Sequence, residues 1–307
     1  MYELKERIRN EILSNELFNR FTKFLDVAPL TLKAYKTGLK RFAEYLAVNE
    51  IRTPVRDDVL AYKNALLEHG LKASTVASYL SKVKKFFSWC EAEGFYHNIA
   101  NGVKAPKISK NHKRDCFSSE QLKNILNGFN RTTIEGARNY AMFALMSCCG
   151  LRTIEVARAK VEDLRSECGV NVLYIQGKAR TEKADFVKIP EAVRTAIQEY
   201  LKLRNKADAT DYLFASLSDR NSGEALTTRS ISRICKNAMI NSGYESSRLT
   251  AHSLRHSAVT LALINGETLQ NVQAFARHSN IQTTLIYAHN INRLSSGIEN
   301  DIAKEIL

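Results

Sequence analysis

Four short segments of this 307-residue chain carry side chains whose types and spacing could do chemistry. The stretch Thr-Ala-His-Ser-Leu-Arg-His-Ser, residues 250–257, sets His252 and Arg255 three positions apart. On a helix those positions share a face, so both side chains can reach one small anionic group. Upstream, Cys-Gly-Leu-Arg-Thr-Ile-Glu places Arg152 and Glu155 just beyond an apolar run, and Gly177-Lys178 follows a strand-like stretch. Downstream, Arg277-His-Ser-Asn-Ile-Gln-Thr-Thr-Leu-Ile-Tyr puts Tyr287 nine residues after His278. Each segment alone has a plainer reading. Tyr287 is one of twelve tyrosines and could simply pack, His252 could cap a helix, and Arg152 could sit in a surface ion pair.

The elements that must position these residues are mostly helical. Residues 31–48 carry Leu32, Tyr35, Leu39, Phe42 and Leu46 at helical spacing, with Lys33, Lys36 and Lys40 on another face. The same division recurs over 74–93, where Val76, Leu80, Val83 and Phe87 form the stripe and Lys82, Lys84 and Lys85 lie off it. Ser74 or Thr75 is expected to cap the start. Arg56 to His69 reads as a helix between them, ended by Gly70. After a polar, basic stretch from Asn101 to Cys116, broken by Gly102 and Pro106, Ser118 or Ser119 caps a helix, and 138–149 is strongly apolar up to Gly150. A β-hairpin is expected from 172–176 and 186–189, joined by a polar loop, and the remainder reads as helical.

Composition narrows the partners. Net charge is +13, and residues 21–115 alone hold 17 Lys and Arg against 9 Asp and Glu, which points to a polyanion. Six cysteines lack Cys-x-x-Cys or Cys/His spacing, and the carboxylates form no Asp-x-Asp cluster, so metal-free chemistry without a cofactor is expected. No apolar run approaches the roughly 20 residues of a membrane span, and the N-terminus lacks signal-peptide features. The expectation is a cytoplasmic, nucleoid-associated protein with no membrane partner.

The order and spacing of the four segments resemble the tyrosine recombinases, the phage integrase and Xer-like family of site-specific DNA recombinases. The resemblance spans about residues 30–303 and implies a mainly α fold with a small β-hairpin or sheet in the catalytic domain (α+β), closing around DNA as a two-domain clamp. The implied organisation is a helical extension (1–20), a SAM-like core-binding domain (21–103), a basic linker (104–116), a catalytic domain (117–294) and a C-terminal helix (295–307) docking on a neighbouring subunit. Tyr287 would be the nucleophile forming a 3′-phosphotyrosyl intermediate, with Arg152 and Arg255 holding the phosphate. A guanidinium fork suits the charge that builds on non-bridging oxygens. Lys178 would protonate the leaving 5′-oxygen. His252 would accept the phenol proton or steady the phosphate, His278 would bond a non-bridging oxygen, and Glu155 would support the site.

Two departures from the family pattern stand out. The loop Lys-Ala-Arg-Thr-Glu-Lys lacks the usual glycine, leaving Lys183 as a rival acid, and Arg277 stands where relatives usually carry glycine. His256 and His289 match no functional position of the family and read as structural or solvent-facing.

Lys33, Lys36, Lys40, Lys82, Lys84, Lys85, Lys113 and Arg114 are expected on phosphates. The implied partners are double-stranded DNA with an inverted-repeat core site and a homotetramer on two such sites, exchanging strands through a Holliday junction, with an accessory DNA-bending protein as a further partner. The free protein is expected to be a monomer or weak oligomer. The alternatives are a type IB topoisomerase-like relaxing enzyme and a non-catalytic DNA-binding protein on the same fold.

Overall fold

The structure is a computed structural model that describes residues 15–108, 115–177, 182–205, 207–295 and 298–307. The chain forms two compact units, Met1–Asn111 and His112–Leu307. Among the described residues no helix is long and apolar enough to cross a membrane.

The first unit is helical: α1 (Asn15–Phe24), α2 (Pro29–Val48), α3 (Arg56–Glu68) and α4 (Ala73–Ala92). Its core is aromatic, with Phe21 against Phe86 at 5.2 Å between ring centroids and Phe42 against Tyr62 at 5.0 Å, both edge-on. α1 crosses the expected boundary at residue 20, because Leu17 and Phe21 lie one turn apart and are both buried in this core. The start of α4 also differs from expectation. The helix begins at Ala73, the N-cap is Lys72, and neither Ser74 nor Thr75 caps it. α2 and α4 pack closely because Gly38 leaves room for the Lys82 stem, whose Cγ and Cβ would meet an added Cβ at 3.2 and 3.3 Å.

The second unit is built around α6 (Ile134–Cys149), which is buried on nearly every face and packs most extensively on α8 (Glu191–Arg204). α5 (Ser119–Asn127) precedes it, capped by Ser118 through a 3.2 Å bond from the Gln121 N–H. α6 starts four residues before the expected Arg138, where Thr133 accepts from the Gly136 N–H at 3.1 Å. A short helix α7 (Thr153–Arg158) and a single 3₁₀ turn lead into the sheet.

That sheet has three antiparallel strands in the order β1 (Leu164–Glu167), β2 (Val170–Ile175), β3 (Asp185–Lys188), with Leu173 opposite Leu164 on one side and Val187 on the other. The expected hairpin is therefore the β2–β3 half of a larger sheet. β1 escapes periodicity because it is short, and three of its four residues are exposed. Its link to β2 is Cys168-Gly169, both at positive φ (49° and 78°), the backbone that a two-residue type I′ hairpin turn requires. α9 (Thr228–Asn241), α10 (Ala251–Ile264), α11 (Leu269–Ala276), α12 (Gln282–Ser295) and α13 (Ile298–Ile306) complete the unit.

Candidate active site

The described site residues converge from three chain segments, and two helix ends organise them. α6 stops at Gly150, which adopts a left-handed conformation (φ 61°). α11 stops at Arg277, also left-handed (φ 52°), where its N–H donates to Ala274 O and the His278 N–H donates to Gln273 O. Both ends turn carbonyls, the negative pole of a helix, toward one place. Arg255, on the first turns of α10 and only 2% exposed, fills that place. Its Nη1 donates to Gly150 O at 2.6 Å and its Nη2 donates to Ala276 O.

Arg152 and Glu155 arrive by a different local device. Arg152 is the N-cap position of α7, and Glu155, three residues on, accepts the Arg152 backbone N–H at 2.8 Å through Oε2. The same carboxylate takes the Arg152 Nη1 at 2.7 Å through Oε1, while Arg152 Nη2 reaches Arg277 O at 3.2 Å. Arg277 then closes the group. Its Nη2 lies 3.0 Å from Glu155 Oε2 and 3.1 Å from Gly150 O. A side chain that the family pattern does not supply therefore becomes a third cation around one buried carboxylate. The left-handed backbone that glycine usually provides is kept by an arginine whose own ion pair offsets the steric strain.

These neighbours shift one another. Burial alone would raise the Glu155 carboxyl, but Arg277, the Arg152 amide and the Arg152 guanidinium together hold it below the usual carboxylate range. Burial, then the charges of Arg152 and Arg277, lower Arg255 to about 9, against Glu155 and Tyr287, which act the other way. His278 falls to about 4 through burial and the facing charges of Arg255, Arg152 and Arg277, so its ring is neutral near pH 7. That ring is fixed by a 2.9 Å bond between Nδ1 and the buried Thr284 hydroxyl.

Tyr287 comes from α12 and packs on Val259, Val272 and Ala276. Its ring lies 6.2 Å from that of His278, and its hydroxyl is hydrogen-bonded to Nδ1 of His256. His256 was expected to have no part in the site, yet it touches the candidate nucleophile directly. The signal was in the sequence: His256 lies one turn after His252 on the same helix face, and their rings meet edge-on at 4.5 Å. His252 is exposed, and with Arg152 it lines a depression of about 440 Å³.

The two candidate acids fare differently. Lys183 is held by a buried partner, with Nζ 2.6 and 2.7 Å from the carboxylate oxygens of Asp163, so it is engaged in an ion pair. Lys178 lies outside the described residues. Its neighbour Gly177 is anchored through its carbonyl by Arg158 Nη1 at 3.2 Å. Lys113 and Arg114 also lie outside. In the first unit Lys33, Lys36, Lys40 and Lys85 are exposed, whereas Lys82 and Lys84 are half-buried and Lys82 donates to Ser78 at 2.8 Å.

Arg152, Arg255, His278 and Tyr287 thus bring two guanidinium groups, a neutral imidazole and a phenol together from separate elements. Residues 116–293 match the phage integrase family, and residues 18–94 match the N-terminal SAM-like domain of phage integrases. The chain belongs to the phage integrase family, the tyrosine recombinases.

Its similarity extends along almost the whole chain to recombinases of the Xer type. It is 28% identical over 289 residues to the tyrosine recombinase XerD of Listeria monocytogenes serotype 4b (strain F2365), covering 90% of this chain and 94% of the relative. It is 28% identical to the tyrosine recombinase XerC of Halalkalibacterium halodurans, covering 91% and 94%. Two solved structures share the fold. One is the XerH site-specific recombinase bound to palindromic difH substrate (TM-score 0.72, 21% identity, 88% of this chain and 80% of that one). The other is a lambda integrase dimer bound to a COC′ core site (TM-score 0.69, 18% identity, 88% and 96%).

Proposed function

We propose that this protein cuts and rejoins duplex DNA at a defined site by attack of Tyr287 on a backbone phosphate, leaving a 3′-phosphotyrosyl link and a free 5′-hydroxyl. The observation that carries this reading is the convergence of Arg152, Arg255, His278 and Tyr287 from three segments, with Arg152 bonded to the buried Glu155, Arg255 bonded to Gly150 O, and the charges of both arginines acting on His278 beside Tyr287. Arg152 and Arg255 would offset the charge on the non-bridging oxygens, with their forks pre-aimed by the helix-end carbonyls rather than organised during the reaction. His278, neutral, would donate a hydrogen bond without adding charge. His252, at the exposed edge, would steady the same phosphate. Lys178 would protonate the departing 5′-oxygen, since Lys183 is committed to Asp163.

Strand exchange needs two sites and four protomers, and the C-terminal helix supplies a means of joining them. Ile298, Ile302 and Ile306 recur every four residues along α13 and are 62%, 50% and 75% exposed. The same unit carries a mainly apolar groove of about 620 Å³ lined in part by Leu122, Leu126, Leu261 and Phe275. Insertion of α13 of one protomer into the groove of the next would close a ring. Removing residues 298–307 would then leave DNA binding intact and abolish strand exchange. A DNA-bending protein would assist assembly of the paired sites.

The experiment is to express the wild type and Tyr287→Phe in cells, recover covalent protein–DNA adducts under denaturing conditions and sequence the attached DNA. Adducts from the wild type alone, concentrated at one inverted repeat, support the proposal. Adducts scattered over the genome favour a topoisomerase, and binding with no adduct, even on nicked DNA, favours a non-catalytic binding protein.

A further inference from the structure

We propose that His256, not His252, is the catalytic residue that takes the proton from the Tyr287 hydroxyl; the inference rests on the nucleophile assignment made above. The Tyr287 hydroxyl is hydrogen-bonded to Nδ1 of His256, and the two rings lie 5.0 Å apart between centroids. Both side chains are buried, His256 at 5% exposure and Tyr287 at 7%, so the phenol meets this base inside the protein rather than across solvent. With the ring hydrogen of neutral His256 on Nε2, Nδ1 presents its lone pair to the phenol, and that is the tautomer in which this contact passes a proton from Tyr287 to His256.

The alternative acceptors are placed for other work. His278 faces Tyr287 at 6.2 Å between rings, but its Nδ1 is bonded to Thr284, and three arginines oppose any positive charge on it. His252 is exposed, meets His256 edge-on at 4.5 Å, and shares the depression with Arg152. It is positioned for the phosphate. One helical turn thus divides two tasks between two histidines four residues apart on α10, His252 toward the anion and His256 toward the nucleophile.

The step balances without a cofactor. The Tyr287 O–H bond breaks as its oxygen bonds to phosphorus, and the proton moves to Nδ1 of His256. The bond from phosphorus to the 5′-oxygen breaks, and that oxygen takes a proton from the general acid. In the reverse direction a 5′-hydroxyl attacks and gives its proton back to the general acid, the tyrosyl bond breaks, and His256 returns the proton to the phenolate. The same histidine serves cleavage and rejoining.

The test uses the full-length protein and the DNA recovered from wild-type adducts, prepared as a nicked duplex that traps the intermediate. His256→Asn is the informative variant because its Oδ1 stands near the place of Nδ1 and can accept the phenol hydrogen bond but not the proton. His256→Gln replaces it should the Asn variant unfold, and DNA affinity measured alongside reports folding. The expected result is adduct formation slowed about 100-fold or more near pH 7. That deficit should shrink steadily as pH rises and the phenol ionises unaided. A deficit constant across pH would assign His256 a purely structural role and overturn the inference, as would no deficit. Failure of the wild type to form any adduct would instead overturn the nucleophile assignment, so the two failures are distinguishable.

Discussion

Arg277 Nη2 lies 3.0 Å from Glu155 Oε2 while Arg152 Nη1 lies 2.7 Å from Oε1, so one fully buried carboxylate is shared by two arginines and stands beside a third, Arg255. Removing that carboxylate leaves several guanidinium charges facing one another with their main counter-charge gone. Glu155→Ala is expected to cost about 3–5 kcal/mol, the size typical of breaking a buried ion pair from one side. Urea unfolding of the full chain reads the loss. A change below about 1 kcal/mol, the scale of an exposed pair, would mean that the network is solvated.

Arg277 also occupies a left-handed backbone position (φ 52°), which separates its two contributions. Arg277→Ala and Arg277→Gly both lose the bond to Glu155, but only the glycine is free of the steric penalty. Arg277→Gly should therefore be the more stable of the two by about 1 kcal/mol. Equal stabilities would show that the backbone relaxes out of this conformation once the side chain is gone.

The sequence was informative where side-chain pattern and helix chemistry coincide. The stripes of α2 and α4, the apolar α6 ending in a glycine, and the order of Arg152, Arg255, His278 and Tyr287 were all visible because each is local or of near-fixed spacing. What it concealed depends on tertiary geometry. β1 has too few buried residues to show alternation, and the α4 start carries no side-chain cap to find. Lys183 looked available because its partner, Asp163, lies 20 residues away. Arg277 departs from the family's usual glycine, and nothing local indicates that its guanidinium reaches back to Glu155. His256 matches no functional position of the family pattern, and although its place one turn after His252 is local, its partner Tyr287 lies 31 residues away on another helix.

His278 gives a pH signature of stability. Its folded-state value is lowered from 6.5 to about 4 by burial and the neighbouring arginines. As pH falls below about 6.5 the unfolded chain takes up this proton first, so stability present above that pH is lost progressively down to about 4 and changes no further below it. His278→Gln cannot take up the proton and should remove this part of the acid sensitivity. Urea midpoints for both proteins between pH 7 and 4 provide the check. Parallel curves would show that His278 is not shielded from solvent as described.

The lysines of α2 allow a prediction about affinity rather than chemistry. Lys33, Lys36 and Lys40 are exposed on one helix, and a lysine on a phosphate releases counterions without reading sequence. Lys36→Ala should weaken binding by a similar factor on every duplex, and it should reduce the slope of log affinity against log salt by about one. Lys40→Ala should do less, because Glu44 stands 3.9 Å from its ammonium and already offsets part of the charge that DNA would meet. Filter binding or anisotropy from 50 to 200 mM salt, on the recovered target and on an unrelated duplex, measures both. A Lys36→Ala loss confined to the target would mean that this side chain reads bases, and an unchanged slope would place the helix away from the phosphates.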